Sequence, residues 1–112
     1  MKKHEIWLAD LNPKMGTEAG KTRPVVLVQT NFLNGYHPST IICPLTTNVR
    51  PGATLLRLNL AAGIAGLTRD SDIMVDQIRA IDNRRLLQKL GELPPELRPR
   101  LDENLRAVLD LV

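Results

Sequence analysis

Between His4 and Asp10 the apolar Ile6 and Leu8 alternate with Glu5, Trp7 and Ala9, and the pattern breaks at Leu11-Asn12-Pro13. A period of two that stops at Asn-Pro predicts a strand followed by a turn. The nine residues Lys14 to Thr22 hold two glycines and two lysines without periodicity, which predicts a long, mobile, cationic loop. Pro24 to Gln29 (Pro-Val-Val-Leu-Val-Gln) and Ser39 to Thr46 (Ser-Thr-Ile-Ile-Cys-Pro-Leu-Thr) are β-branched runs of strand length. Proline lacks the N–H that a ladder needs, so Pro24 is expected to open its strand and Pro44 to mark an edge or a bulge. Asn31 to Pro38, rich in turn formers and carrying Phe32 and Tyr36, is expected to be a short helix or a wide loop.

Thr47 to Gly52 reads as a second polar loop, and Ala53 to Leu60 alternates around Arg57 and Asn59 as a half-exposed strand. Ala61 to Leu67 is small and glycine-bearing, hence a turn packed on the body. Asp72 to Asp76 and Gln77 to Ile81 predict one bent strand or two short ones, Asp82 to Arg85 a turn, and Leu87 to Gly91 a last short strand. The period then changes. Leu97, Leu101, Leu105, Val108, Leu109 and Val112 fall on one face of a helix entered through Pro94-Pro95. Pro99 cannot donate to the carbonyl of Pro95, so the first turn is expected to fray or kink until Arg100. Short, closely spaced strands followed by one amphipathic helix predict a mainly β fold, a small antiparallel barrel with a C-terminal helix.

The 112 residues suit one core, so residues 1–112 are expected to form a single domain. The apolar run Leu60 to Leu67 is far short of the roughly 20 residues of a membrane span, and Met1 to Asp10 has no signal-type stretch; a cytoplasmic protein without membrane contact is expected. One cysteine, Cys43, excludes an internal disulfide, and with only two histidines it makes no structural zinc site, so neither metal nor cofactor is expected. Asp70, Asp72 and Asp76 are expected to be solvated strand ends rather than a cation site. Charge is uneven: residues 1–60 hold seven basic and three acidic side chains, and residues 61–112 eight basic and nine acidic. A basic half suits a polyanion or an acidic partner. Trp7, Phe32 and Tyr36 are too few for a base-stacking platform, so any RNA contact must rest on arginine and hydrogen bonds.

The densest polar cluster beside a strand is Gly16-Thr17-Glu18-Ala19-Gly20-Lys21-Thr22-Arg23-Pro24. With Asp10 at the preceding strand end, Leu11-Asn12-Pro13 between, and Val25-Val26-Leu27-Val28-Gln29 after, it resembles the N-terminal signature of the MazF/PemK-type ribonuclease toxins. Ile42-Cys43-Pro44-Leu45-Thr46 resembles that family's third strand with its terminal threonine. Asp72 to Asp82, containing Asp76-Gln77-Ile78-Arg79, resembles its apolar strand and the acidic-Gln-Ile-Arg segment that follows. Order and spacing match across nearly the whole chain. The resemblance implies an SH3-like barrel of the CcdB/Kid/MazF type, a homodimer, and metal-independent, sequence-specific cleavage of single-stranded RNA. It also implies a cognate antitoxin with an acidic, partly disordered tail.

Carried over from the family, Arg23 and Thr46 are the expected catalytic residues. Arg23 suits an anion-stabilising role, because its fork of donors spans two phosphate oxygens, and suits a general base badly, because guanidinium keeps its proton. Thr46 can donate to the phosphate or orient a hydroxyl. Without the family, a surface ion pair of Arg23 with Glu18 and a turn-forming Thr46 are the simpler readings. Glu18 is a candidate base or, preferably, a loop-ordering partner of Arg23 or Lys21. Lys14, Lys21 and Thr47 are expected RNA-binding or supporting residues. Gln77 and Arg79 either line the groove or are ordinary exposed strand-end residues. Two rivals to the nuclease are a non-enzymatic inhibitor of the CcdB type and a barrel that only binds RNA. The first acts through a C-terminal tryptophan-containing tip, whereas this chain ends Asp110-Leu111-Val112 and has its only tryptophan at Trp7.

Overall fold

The alternation at the N-terminus forms β1 (Glu5–Asp10), and the two β-branched runs form β2 (Thr22–Leu27) and β3 (Ser39–Thr46). β4 (Arg57–Leu60), β5 (Ser71–Met74), β6 (Arg79–Asp82), β7 (Leu86–Glu92) and the helix α1 (Arg98–Leu109) complete the computed structural model, which describes residues 1–112. Every strand pairing is antiparallel, in the order β4-β5-β3-β2-β1-β7, with β6 also on β3. β3 is the hub. One of its edges holds β2; the other holds β6 along Ser39–Ile42 and β5 along Leu45–Thr46. Pro44 falls in the gap between those two ladders, where its missing N–H breaks no pairing. Pro24 does not open its strand: β2 begins two residues earlier at Thr22, and Pro24 pairs with Leu8. It is tolerated because the ladder to β3 starts only at Val25. The segment from Asp72 to Ile81 is two short strands, separated by a 3₁₀ turn at Val75–Gln77.

The end strands β4 and β7 do not pair, so the barrel is not closed by hydrogen bonds. A 3₁₀ turn at Ile64–Gly66 packs against β7 instead. The approach requires glycine at 91, since a Cβ there would stand 2.5 Å from the carbonyl oxygen of Ala65.

Period two sorts the strand residues onto two buried faces. Ile6, Val26, Cys43, Leu45, Ile73 and Leu101 share one core, which α1 covers with Leu101 and the half-buried Leu105 and Val108, joined by Leu97 just before the helix. Ala9, Val25, Leu27, Ile42 and Ile81 share the other, closed by Trp7, Leu86 and Ala19 from the Lys14–Thr22 loop. Two boundaries depart from the sequence pattern, at Ala53 and at α1, while the loop expected at Asn31 to Pro38 is present. Ala53 to Leu56 is not strand but a turn, closed by the Arg57 N–H on the Ala53 carbonyl at 2.9 Å. Asn31 to Pro38 is a run of turns with Phe32 and Tyr36 exposed. A 3₁₀ turn at Pro95–Leu97 leads into α1, which accepts Pro99 in its first turn and stops at Leu109 because Asp110 turns left-handed at φ 55°. Leu109 and Val112 therefore lie exposed, outside the apolar contact that their spacing suggests. No helix is long and apolar enough to cross a membrane.

Candidate active site

Strand register assembles the site. Val25 stands opposite Pro44 and Leu27 opposite Ile42; extended two residues beyond the end of this ladder, the same register sets Arg23 against Thr46, and Arg23 Nη1 reaches the neighbouring Leu45 carbonyl. Ala9 pairs with Arg23 on the other side, Thr46 pairs with Asp72 of β5, and Asp72 pairs with Asn59 of β4. Arg23, Thr46, Asp72 and Asn59 thus form one lateral row across four strands, and laterally paired residues share a face of the sheet.

A cavity of about 530 Å³ takes in Arg23 and Thr46 of this row together with Lys21 and Thr47, with Leu8, Pro24, Leu45 and Leu90 as apolar walls. Arg23 is half-buried. Its Nε donates to the Gly20 carbonyl at 2.8 Å and its Nη1 to the Leu45 carbonyl at 3.3 Å, so the guanidinium is anchored to the loop on one side and to β3, one residue before Thr46, on the other. Burial lowers its pKa from the ordinary value, as removal of water does for any cation. With two of the five N–H donors committed, three remain for an anion. The Thr46 Oγ1 accepts the Asn48 N–H at 3.1 Å, which occupies an acceptor lone pair and leaves the hydroxyl proton to be donated elsewhere.

A second cavity, of about 710 Å³, lies on the far side of Arg23 and Lys21, which line both. Lys14, Glu18 and Gln77 line it together with Arg50, Arg57 and Asp76. Gln77 accepts the Ala19 N–H on its Oε1 at 3.3 Å and so ties the Lys14–Thr22 loop to the sheet. The loop needs its glycines: Gly16 has φ +56°, and a Cβ on Gly20 would meet the Lys14 Cβ at 2.6 Å. Glu18 is exposed and takes part in no ion pair, so the loop is ordered by Gln77 and by the Asn12 side chain on the Lys21 N–H, not by a Glu18 pairing with Arg23 or Lys21. Arg79 is half-buried opposite Ile42 in the β3–β6 ladder and lines neither cavity.

Asp72 departs most from the sequence reading. It is 1% exposed, not a solvated strand end. Its Oδ2 accepts the Arg50 N–H at 2.8 Å and Arg57 Nη1 at 3.3 Å, and its Oδ1 accepts Asn59 Nδ2 at 3.1 Å. The carboxylate tolerates burial because all of its partners are donors. Asp72, Arg57 on the second cavity, and Thr68 and Arg69 on the first escape sequence reasoning, since nothing local to them differs from an ordinary alternating strand or turn. Cys43 is buried, and that burial, with a smaller push from Asp76, raises its thiol pKa to about 12, so it packs as an apolar side chain. His4 and His37 line neither cavity, and no cluster of three or more His, Cys, Asp or Glu side chains could hold a metal ion.

A model of the family described as the PemK-like, MazF-like toxin of type II toxin-antitoxin system matches residues 2–109. Endoribonuclease EndoA of Bacillus subtilis (strain 168) is 33% identical over 112 residues, which span 100% of this chain and 97% of that protein. Among solved structures, the Mycobacterium tuberculosis toxin MazF-mt6 has a TM-score of 0.81 at 24% identity, covering 96% of this chain and 98% of that one. An endoribonuclease in complex with its cognate antitoxin, from Mycobacterial species, has a TM-score of 0.77 at 20% identity, covering 100% and 95%. These two structural likenesses concern the fold.

Proposed function

The chain belongs to the PemK-like, MazF-like toxin family of type II toxin-antitoxin systems, and from that membership we propose that it is an endoribonuclease toxin that cuts single-stranded RNA at short sequences without a metal ion, with Arg23 and Thr46 as catalytic residues. The observation that carries this reading is that Arg23 and Thr46 line one cavity, with the Arg23 guanidinium held on the Leu45 carbonyl, one residue before Thr46.

In the reaction the 2′-hydroxyl of the RNA gives up its proton as its oxygen bonds to phosphorus, and the bond from phosphorus to the 5′-oxygen breaks as that oxygen takes up a proton, so no proton is gained or lost overall. Negative charge builds on the non-bridging oxygens of the phosphorane. Arg23 meets it with its three uncommitted donors, fixed beforehand by the Gly20 and Leu45 carbonyls, so little reorganisation is needed as the charge develops. Thr46 adds a hydrogen bond, donated by the hydroxyl that its bond to Asn48 leaves free to donate. Lys21, at the boundary of the two cavities, with Lys14 and Thr47 at their walls, holds flanking phosphates; Gln77 supports the loop, and Glu18 stands exposed on the wall of the second cavity. Residues 1–112 act as a single toxin domain in the cytoplasm.

Purified protein incubated with a long single-stranded RNA in EDTA tests the reading. Discrete cuts are expected; intact RNA overturns it in favour of a binding-only protein.

Partner binding follows the same charge pattern. An acidic, extended antitoxin segment lies along Lys14, Lys21 and Arg23 and closes the cavities, as the basic first half of the chain favours. The toxin itself is a homodimer, which gives the exposed apolar side chains Phe32, Tyr36, Leu55 and Leu87 a surface to cover or be covered by. Light scattering at micromolar concentration is expected to give twice 12.5 kDa, and a mass of 12.5 kDa rejects the dimer.

A further inference from the structure

We propose that Asp72 is a positioning residue for the Thr46 hydroxyl, acting through Arg57 and the Thr47–Gly52 loop; the role rests on the nuclease reading above. Four bonds make the connection. Asp72 Oδ2 accepts both the Arg50 N–H and Arg57 Nη1. The same Nη1 donates to the Asn48 carbonyl at 3.3 Å. The Asn48 N–H in turn donates to Thr46 Oγ1 at 3.1 Å. Asn48 is therefore held from both ends, its carbonyl by the Arg57–Asp72 pair and its N–H by the hydroxyl that it orients. Thr46 and Asp72 are also direct neighbours across β3 and β5, so the anchor stands on a rigid element beside the group it serves.

Loop residues 47–56 contain only turns and no strand pairing of their own. The far end of the segment is held by the Val75 N–H on the Leu56 carbonyl at 2.9 Å, whereas between Thr47 and Ala53 the backbone bonds are short-range turn bonds, Val49 N–H to the Thr47 carbonyl and Ala53 N–H to the Arg50 carbonyl. Such bonds fix local shape but not where the loop stands over the cavity. The buried carboxylate does the latter. Without it, Asn48 drifts, the Thr46 oxygen loses its fixed donor, and the hydroxyl rotates among its staggered positions instead of offering its proton to the groove.

Asparagine at 72 is the discriminating substitution. All partners of the carboxylate are donors, so an amide placed in the same space sets its NH₂ against either the Arg50 and Arg57 donors or that of Asn59. Two measurements on the full chain decide the proposal. In Asp72→Asn, amide hydrogen exchange at Asn48 and Arg50 is expected to speed up by roughly tenfold or more while exchange in β1 and β2 is unchanged. RNA cleavage is expected to fall about tenfold in kcat with little change in KM, and the same substitution made in Thr46→Ala is expected to cost less than about twofold further. Losses that multiply in the double variant, or unchanged exchange at Asn48, overturn the proposal. If Asp72→Asn does not fold, Arg57→Met carries the same test, since it keeps the aliphatic stem and removes the guanidinium that joins the Asp72 carboxylate to the Asn48 carbonyl. RNA left intact by the unsubstituted protein overturns the nuclease reading, and with it the catalytic role, whereas exchange at Asn48 and Arg50 reports on the loop anchor irrespective of activity.

Discussion

Glu5 and Asp72 are two buried carboxylates on opposite parts of the sheet, solved by the same chemistry and put to different ends. Glu5, in β1, accepts the Lys2 N–H and the Trp7 indole N–H on Oε1, each at 3.0 Å, while Lys89 approaches Oε2 at 3.1 Å. Asp72, in β5, has Arg50, Arg57 and Asn59. The partners of Glu5 pin the N-terminal turn and join β1 to β7, and none of them lines a cavity. Those of Asp72 hold the loop over the Arg23–Thr46 row. A satisfied buried charge is therefore no sign of function in itself. What separates the two is the identity of the lateral neighbours, which for Asp72 include Thr46 and for Glu5 only Glu92.

The largest expected contrast is in cleavage. Arg23→Ala and Thr46→Ala should each reduce RNA cutting by on the order of a hundredfold or more, the scale of losing one transition-state donor, whereas Glu5→Gln should leave the rate within about twofold. Arg23→Lys should stay impaired because a point charge does not reproduce the fork. Full activity in either alanine variant would remove that residue from the catalytic assignment.

Stability gives the next contrast. Truncating one partner of a buried pair leaves the other charge stranded, so Asp72→Ala should lose about 3 kcal/mol or more in urea unfolding, because the Arg57 side chain is only 14% exposed and has no other carboxylate partner. Glu5→Ala should lose less, about 1–2 kcal/mol, because Lys89 is 43% exposed and keeps Glu92 as a partner. Equal losses would mean that the two sites differ in position only.

Acid should act through the N-terminal side. Burial pushes the Glu5 carboxyl up, but hydrogen bonds from Trp7, the Lys2 N–H and Lys89 outweigh it, and its pKa lies below the ordinary 4.5. A carboxyl with a depressed folded pKa contributes stability that is present above 4.5 and is lost as pH falls through the folded value. The unfolding midpoint of Glu5→Gln should thus depend less steeply on pH below 4.5 than that of the unsubstituted chain; parallel curves would deny Glu5 this role.

The smallest effect belongs to His4. Its Nε2 is buried without a partner, and burial first, then Lys3 and Arg98, lower its pKa from 6.5 against the opposing pull of Asp102. The unfolded chain takes up this proton first, so stability should decline gently as pH falls below 6.5. His4→Asn, which tolerates the positive φ of 75° at this position, should flatten that decline. A slope that persists would place its origin elsewhere.

Much of this was legible along the chain. Alternation marked the strands to within two or three residues in most cases, and the leucine stripe marked α1, because both patterns report a face turned from water at a fixed local period. The stripe overran the helix at Leu109 and Val112, since periodicity does not register the left-handed Asp110 that ends it. The strand pattern overran at Ala53, where a local turn bond took the backbone groups before a ladder did.

Which family the chain resembles, and the prominence of Arg23 within the Gly16–Pro24 cluster, were likewise carried by the sequence, as were the antiparallel barrel-like fold and the basic character of its first half. Only tertiary structure decided that Glu18 stands apart from Arg23, that Arg79 lies off both cavities, and that Asp72 is an interior anchor. The reason is physical. A period of two tells which side of its own strand a residue occupies, whereas the row from Ala9 through Arg23, Thr46 and Asp72 to Asn59 depends on the register between strands distant in sequence, set by hydrogen bonds that no local pattern encodes.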